Sequence, residues 1–186
     1  MLRYTLMRTV LNPLLAIASD QGLMRLEFLP RGYQYHTHAS AFAKMINEQG
    51  DGVEESLQED DDHFVNLRGQ LAEYFIGSRE TFDIPLDLHG SRFQLRVWTN
   101  LVRIPYGKLK TYKEVARSIR RPNATRAVGQ AAGRNPVPIL VPCHRLVGVN
   151  RSLVGFAGGL SLKAQLLRLE GHTLGDTSRI EPAQLF

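Results

Sequence analysis

The stretch TYKEVARSIRRPNATRAVGQAAG, residues 111–133, decides the fold of the second half of the chain. Its capping-box pattern, in which Thr111 is followed by Glu114, predicts a helix over about 112–119. A Pro-Asn pair then breaks that helix, and a second helix is predicted over about 124–133. Two short helices joined by a tight turn are typical of a helix-turn-helix.

The second of these helices carries unusually small side chains, since Ala or Gly occupies six of its ten positions. Each internal Gly costs roughly 1 kcal/mol relative to Ala, so a packing or functional reason is expected. Such a helix builds little core, but its backbone can approach a large, flat partner closely. The small residues are Ala124, Ala127, Gly129, Ala131, Ala132 and Gly133.

Charge is distributed unevenly over the 186 residues, whose formal net charge is +5. Residues 1–87 carry seven Lys or Arg and fourteen Asp or Glu, a net charge of −7, whereas residues 88–186 carry sixteen and four, a net charge of +12. Such asymmetry predicts a basic module that meets a polyanion, with nucleic acid as the leading candidate. The alternative is a basic surface that serves only solubility.

Before the basic module the pattern changes to short apolar or alternating runs, which predict strands and hairpins. The acidic run 54–62 is interpreted as a solvated loop or a helix entry. The sequence of segment 31–52 does not distinguish between helix, strand and loop. The predicted strands are 2–10, 14–19, 23–29 and a closing strand at 82–86.

Three further helices and the chain ends complete the assignment. Apolar spacing predicts helices over 63–75, ended by Gly77, and over 161–169, and Ser91 is the N-cap of a third. We therefore expect a strand-rich domain over 1–87, a helix-turn-helix domain over 88–172, and a peripheral or partly disordered tail over 173–186.

The composition is that of an ordinary folded protein, with 43% hydrophobic and 22% charged residues. No apolar run approaches the ~20 residues of a membrane helix, and the start of the chain lacks a signal-peptide block. We therefore expect no membrane partner and an intracellular, cytoplasmic location, or a nuclear one in a eukaryote. The single cysteine, Cys143, excludes an intrachain disulfide and a thiolate-rich zinc site.

Cys143 lies in the tetrapeptide Pro-Cys-His-Arg at 142–145, after a strand-like apolar run at 138–141. A thiol is a strong nucleophile as the thiolate, and a neighbouring His144 and Arg145 can lower its pKa. Adjacent residues on a regular element do not face each other, so coupling of the thiol to His144 requires a turn or a bridging water. The alternative is that Cys143 is an inert buried residue.

Five sequence blocks around Cys143 occur in a characteristic order and spacing. The blocks are RAVG at 126–129, NPVP at 135–138, VPCHR at 141–145, GFAGG at 155–159 and LLRLEG at 166–171. With them, the chain from about Phe93 to His172 resembles the O6-alkylguanine-DNA alkyltransferase family, whereas residues 1–87 match it only in architecture. The resemblance implies an α/β (α+β) fold, with a ribonuclease H-like, strand-rich domain followed by a mainly helical, winged-helix-like domain that carries the helix-turn-helix.

The resemblance implies DNA repair by direct transfer of an alkyl group from O6-alkylguanine, with O4-alkylthymine as a second candidate, to Cys143. The thioether is stable, so such a methyltransferase acts once and is consumed. His144 would take the thiol proton through a water molecule, and Glu170 would orient His144. Tyr112 would hydrogen bond to N3 of guanine, and Asn135 would tie the recognition helix to the active-site segment.

A base stacked in a duplex cannot reach a buried thiol, so the resemblance also implies nucleotide flipping. Arg126 would fill the space of the flipped nucleotide while its helix approaches the minor groove, which carries little sequence information. The alternative for Arg126 is an ordinary phosphate contact. The other implied DNA-binding residues are Ala124, Thr125, Ala127, Gly129 and Tyr112, and the implied pocket residues are Pro138, Phe156, Ala157, Gly158, Lys163 and Arg145.

Two departures from the family pattern bear on the site. The family often has Tyr at the position of Phe156 and Ser at that of Ala157, so stacking is kept but a hydroxyl contact is lost. Some members hold zinc in the first domain through cysteines, and His36 and His38 are too few to replace that site, so we expect no required metal and no cofactor.

The expected partner is double-stranded DNA that contains O6-alkylguanine, bound by a monomer, with cooperative assembly left open.

Three other classes of protein are weighed against this one. A non-catalytic relative that binds alkylated DNA would carry Trp at the cysteine position, which Cys143 argues against. A helix-turn-helix regulator normally reads the major groove with polar side chains where this helix has Ala and Gly. A cysteine hydrolase requires an oxyanion hole, of which the sequence gives no independent sign.

Overall fold

The computed structural model describes residues 1–30, 57–175 and 180. Its contacts divide the chain into two units, Met1–Glu73 with Asp83–Leu88 and Tyr74–Phe82 with His89–Phe186. None of the helices within the described ranges is long and apolar enough to cross a membrane. The sequence interpretations of segment 31–52, of His36 and His38, and of tail residues 176–179 and 181–186 fall outside the described residues.

The first unit is built on a four-stranded sheet. Its strands are β1 (Leu2–Met7), β2 (Leu14–Ser19), β3 (Gly22–Phe28) and β4 (Leu57–Glu59), in the order β3-β2-β1-β4. Strand β2 pairs in antiparallel fashion with both β1 and β3, which confirms the predicted hairpins, whereas β4 runs parallel to β1. Leu15 and Ile17 of the central strand β2 pack with Leu29 in a buried cluster.

Two segments of the first unit differ from the sequence prediction. The acidic run contains the edge strand β4, because an edge strand can pair on one side and turn its charged side chains to solvent. The predicted closing strand at 82–86 does not form. Only Leu86 makes a bridge, to Leu23, and the neighbouring Pro85 has no N–H with which to continue a ladder.

The helix predicted over 63–75 forms in two parts. A 3-10 turn at Asp62–Phe64 leads into helix α1, Val65–Phe75. Gly77 ends the helix as predicted, with a φ of +77° that favours glycine. The buried apolar residues of α1 are Leu67, Leu71 and Tyr74, and by its contacts Tyr74 belongs to the second unit.

The second unit is mainly helical. Its elements are α2 (Arg92–Val102), β5 (Lys110–Thr111), α3 (Tyr112–Ser118), α4 (Thr125–Gly133), β6 (Leu146–Val147) and α5 (Leu160–Leu169). Ser91 and Thr111 are both N-caps with complete capping boxes, as their spacing to Gln94 and Glu114 indicates. The two-residue strands β5 and β6 pair in parallel and were not predicted.

Helices α3 and α4 pack against each other as the predicted helix-turn-helix. Helix α2 supports α4, since the indole N–H of Trp98 donates to the carbonyl of Ala131 at 2.8 Å. The small residues of α4 serve two purposes. Ala131 and Ala132 are buried and pack closely. Ala127 and Gly129 are only half-buried, and at these two positions little or no side chain projects from the helix surface.

Removal of the cap of α3 tests this local account. In Thr111→Ala the helix loses the hydroxyl that accepts the N–H of Glu114, so we expect the free energy of unfolding of the second unit to fall by about 1 kcal/mol. Thr111→Ser keeps the hydroxyl and is the control. Urea unfolding followed by fluorescence of Trp98, the only tryptophan, measures the change. Equal midpoints for the two variants would contradict the prediction.

Candidate active site

The segment before Cys143 forms a turn and not the strand that its apolar residues predicted. The N–H of Val141 donates to the carbonyl of Val137 at 2.9 Å, and Ile139 has a φ of +76°, which no strand allows. The segment is apolar because it is buried, and burial alone does not distinguish a turn from a strand. The turn leads into a short 3-10 helix, Cys143–Arg145.

Asn135 connects this turn to the thiol. Its Nδ2 donates to the carbonyl of Val141 at 2.7 Å and to Cys143 Sγ at 3.1 Å, and its Oδ1 accepts the N–H of Val137 at 3.1 Å. Because both ends of the amide are engaged, the donor that faces the sulfur has a fixed direction. Asn135 follows closely after α4, so it lies between that helix and the segment that carries Cys143.

His144 and Glu170 form a buried pair. Both side chains are 0% exposed, and His144 Nε2 lies 2.7 Å from Glu170 Oε1. A carboxylate only accepts hydrogen bonds, so Nε2 carries the ring proton and Nδ1 keeps its lone pair. Nδ1 is buried and has no hydrogen-bond partner among the described residues. Nδ1 is therefore the atom of this ring that can accept a proton.

Three further residues donate to the Glu170 carboxylate. Arg145 donates from Nε to Oε2 and from Nη2 to Oε1, both at 2.9 Å, Tyr74 donates its hydroxyl to Oε1 at 2.8 Å, and Gly107 donates its N–H to Oε2 at 3.2 Å. Burial alone would raise the pKa of Glu170, but the hydrogen bonds and charges of His144 and Arg145 outweigh it and lower the pKa to about 2. Glu170 is therefore ionised at neutral pH.

Cys143 and His144, by contrast, rest in their neutral forms. Burial raises the pKa of Cys143 despite the hydrogen bond from Asn135, and burial lowers the pKa of His144. The prediction that His144 and Arg145 lower the pKa of the thiol is wrong. The Arg145 guanidinium is bound to Glu170, and Cys143 is only 7% exposed, so desolvation dominates.

Lys163 and Tyr112 hold the same short segment of chain. The Lys163 ammonium donates to the carbonyls of Leu146, Val154 (2.7 Å) and Gly155 (3.4 Å), and the Tyr112 hydroxyl donates to those of Val154 (2.9 Å) and Gly155 (3.2 Å). Burial lowers the pKa of Lys163 to about 8 and raises that of Tyr112 to about 12. Tyr112 therefore remains protonated at neutral pH and keeps its capacity to donate.

The held segment leads into three of the predicted pocket residues. Phe156 is half-buried, whereas Ala157 and Gly158 are exposed. A Cβ at Gly158 would lie 2.8 Å from Leu162 Cδ2 and 3.0 Å from the Phe156 ring. A side chain at 158 would therefore displace the end of the Leu162 side chain and the Phe156 ring.

Two other predicted pocket residues lie in the turn and in the 3-10 helix. Pro138 is half-buried in the turn before Cys143. Arg145 does not point to a pocket: its guanidinium donates to Glu170 and, at 2.5 Å, to the carbonyl of Ile104. Arg145, which was predicted to line the substrate pocket, instead holds the buried carboxylate of Glu170.

The predicted DNA-contacting residues lie at the start of α4. Arg126 is exposed in its first turn, and Gly129, three residues later, is on the same side of the helix. A Cβ at Gly129 would lie 3.8 Å from the Tyr112 ring, so this side of α4 lies beside Tyr112. The remaining members of the set are Ala124, which is the N-cap, Thr125, which begins the helix, and Ala127.

Sequence reasoning missed two partners of Glu170. Tyr74 was interpreted only as an apolar residue of its helix, and it lies 96 positions from Glu170, so no local pattern marks the contact. Gly107 lies in the turn that follows α2. Its φ of +65° is the signal that glycine is required there, and this turn aims its N–H at the carboxylate.

Two family models match the chain. The ribonuclease-like domain of 6-O-methylguanine DNA methyltransferase matches residues 2–88, and the DNA binding domain of the same enzyme matches residues 92–172. Together the matches cover more than half of the chain. They confirm the predicted α+β architecture, in which a strand-rich domain precedes a helical DNA-binding domain.

Relatives and solved structures agree with these matches. The methylated-DNA--protein-cysteine methyltransferase of Methanosarcina acetivorans is 39% identical over 90% of this chain and 97% of its own. The crystal structure of Mycobacterium tuberculosis O6-methylguanine methyltransferase is similar with a TM-score of 0.74 and 36% identity, over 99% of this chain and 97% of that one. The same organism's OGT in complex with DNA has a TM-score of 0.73 and 36% identity, over 90% and 92%. This chain therefore belongs to the O6-alkylguanine-DNA alkyltransferase family.

Proposed function

We propose that this protein repairs DNA by transferring the alkyl group of O6-alkylguanine to its own Cys143, with O4-alkylthymine as a second candidate substrate. The observation that carries the proposal is the buried thiol held by Asn135 beside the His144–Glu170 pair, in a member of this family. The name of the Methanosarcina acetivorans relative states transfer from methylated DNA to a protein cysteine, and the Mycobacterium tuberculosis relative has been crystallised with DNA.

The proposed transfer exchanges one covalent bond for another. Nδ1 of His144 takes the thiol proton through a water molecule, and the ionised Glu170 stabilises the imidazolium that forms. The thiolate of Cys143 attacks the alkyl carbon in line, so a C–S bond forms as the C–O6 bond breaks. The electron pair of the broken bond passes to the guanine ring, which takes a proton at N1 from water. The imidazolium of His144 returns the thiol proton to solvent, so the protons balance. The thioether is stable, so each molecule acts once.

Tyr112 is proposed to stabilise the leaving base by a hydrogen bond to guanine N3. A pKa of about 12 keeps its hydroxyl protonated, as a donor must be. In the free protein this hydroxyl donates to the carbonyls of Val154 and Gly155, so guanine competes with them for the donor. Lys163 donates to the same carbonyls and keeps the segment in place when Tyr112 changes partner.

Access to a thiol that is only 7% exposed requires the damaged nucleotide to leave the duplex. Arg126, exposed in the first turn of α4, is proposed to fill the space that the nucleotide leaves. Gly129, on the same side of the helix as Arg126, has no side chain, and Ala127 has a small one, so the helix backbone can approach the minor groove closely. The net charge of +12 over residues 88–186 attracts the phosphate backbone.

The extruded base is proposed to lie against Pro138 and Phe156, with the aromatic ring stacked on the guanine. Backbone groups of Cys143 and Ala157 would read the guanine edge, and Gly158 lets the Phe156 ring lie close to the chain. Arg145 has no place in this pocket, because its guanidinium is engaged by Glu170.

The other expectations from the sequence complete the proposal. We propose that the functional division follows residues 1–87, 88–172 and 173–186, and that a monomer binds double-stranded DNA, with cooperative assembly left open. A cytoplasmic location, or a nuclear one in a eukaryote, remains a prediction, as does the independence of the reaction from metals and cofactors.

The hydrogen bond from Asn135 to the sulfur gives the first functional prediction. Asn135→Asp keeps an acceptor for the N–H of Val137 but loses the donor to Cys143 and to the Val141 carbonyl and places a carboxylate beside the sulfur, so the thiolate is harder to form. We expect single-turnover transfer from free O6-benzylguanine to slow by roughly 10- to 100-fold, the effect of one hydrogen bond to a charged group. Binding to unmodified DNA is the control and should not change. An unchanged rate would contradict the role of Asn135.

Arg126 gives a second prediction, which separates nucleotide flipping from chemistry. Arg126→Ala should slow repair of a duplex substrate by roughly 10- to 100-fold, since flipping costs a few kcal/mol, and should leave reaction with free O6-benzylguanine nearly unchanged. Arg134→Ala, at the exposed C-terminal end of the same helix, is the matched control and should weaken only DNA affinity. If Arg126→Ala slowed the reactions with the duplex and with free O6-benzylguanine equally, a role of Arg126 in nucleotide flipping would be contradicted.

A further inference from the structure

We propose that Tyr74 is a positioning residue for the alkyl transfer, because its hydroxyl fixes the Glu170 carboxylate that orients His144. This inference rests on the proposed function and extends it to a residue outside the sequence blocks that carry the family resemblance. Tyr74 does not touch the sulfur or the reacting carbon. It acts on them through Glu170 and His144 in turn.

The geometry places Tyr74 and His144 on the same carboxylate oxygen. The Tyr74 hydroxyl donates to Glu170 Oε1 at 2.8 Å, and His144 Nε2 donates to that atom at 2.7 Å. Arg145 Nη2 also donates to Oε1, at 2.9 Å, and the second oxygen, Oε2, is held by Arg145 Nε at 2.9 Å and by the Gly107 N–H at 3.2 Å. The Tyr74 hydroxyl therefore shares with His144 the atom that sets the direction of the imidazole.

The phenol ring is itself held firmly. Tyr74 is 0% exposed, and its ring centroid lies 5.5 Å from that of Phe82 and 6.0 Å from that of Tyr106, in tilted and edge-on contacts. Burial raises the pKa of Tyr74 well above its usual value, so the hydroxyl remains a donor at every pH at which the protein works. A rigid donor with one fixed partner is what positioning requires.

The number of donors on Oε1 determines how strongly the carboxylate attracts a proton on His144. Each donor takes up part of the negative charge, so removal of the Tyr74 hydroxyl leaves more of it for His144 and raises the pKa of that imidazole. Transfer requires neutral His144, and its rate therefore falls as the pH drops through this pKa. The charged groups that act on the pair are Arg145 and Lys163, and the other titratable groups beside it are Tyr74, Tyr106, His172 and Cys143. Burial raises the pKa of Tyr106, so its phenol is uncharged, and its hydroxyl donates to the carbonyl of Leu169 and not to Glu170.

The test compares two phenol-to-phenyl substitutions. Tyr74→Phe keeps the ring and removes the donor to Glu170, whereas Tyr106→Phe, the matched control, removes a hydroxyl that donates at 2.7 Å to the backbone carbonyl of Leu169. Single-turnover transfer from free O6-benzylguanine is measured against pH, which leaves DNA binding out. We expect the acid limb of Tyr74→Phe to move up by about one pH unit, the size of one hydrogen bond to a charged group, and that of Tyr106→Phe to stay in place.

A Tyr74→Phe profile that coincides with the wild-type profile, together with a lower melting temperature, would overturn the inference and leave Tyr74 a structural role. A wild-type protein that takes up no benzyl group would contradict the proposed function. In that case NMR titration of the His144 ring nitrogens, which needs no transfer, decides the inference. A higher pKa of His144 in Tyr74→Phe supports it, and an unchanged pKa overturns it.

Discussion

A carboxylate in a protein interior is tolerated only when donors surround it, and Glu170 meets this condition through four residues from three places in the chain. The donors are the Tyr74 hydroxyl at the end of α1, the Gly107 N–H, His144 and Arg145. Removal of the Arg145 guanidinium would leave an uncompensated buried charge on Glu170, which costs several kcal/mol. Because each donor reaches Glu170 only in the folded unit, folding of the second unit and assembly of the catalytic pair are one event.

The same burial determines how the thiol is used. Desolvation raises the pKa of Cys143 and lowers that of His144, so both groups are neutral until a substrate arrives. In the proposed transfer, charge develops on the imidazole beside a carboxylate that is already ionised, and no group has to reorganise to stabilise it. A neutral, buried thiol also reacts slowly with oxidants, which suits a protein that uses its cysteine once. His144 and Arg145, which follow Cys143 in sequence, therefore act through the buried carboxylate of Glu170 and not as positive charges placed directly beside the thiol.

Local sequence signals predicted most of the helices of the second unit. The predictions that were wrong or missing concern residues whose structure depends on contacts distant in sequence. The N-cap at Ser91 and the capping box at Thr111 located α2 and α3, since the groups of each cap lie within four residues of each other. The turn before Cys143 was predicted as a strand, because a buried apolar run has the same composition in either form. The pKa of the thiol was predicted in the wrong direction because Arg145, adjacent in sequence, turns its guanidinium to Glu170. Tyr74 was missed for a related reason: its partner is distant in sequence and its own helix gives it an apolar spacing.

The central claim is transfer of an alkyl group to Cys143, and the mass of the intact protein tests it most directly. The protein is weighed before and after incubation with a duplex that contains one O6-methylguanine, and the modified peptide is then mapped. The account predicts a stoichiometric gain of one methylene unit, located on Cys143. An unchanged mass, in a protein that binds the same duplex tightly, would contradict the account and indicate a damage-recognition protein whose thiol is not activated.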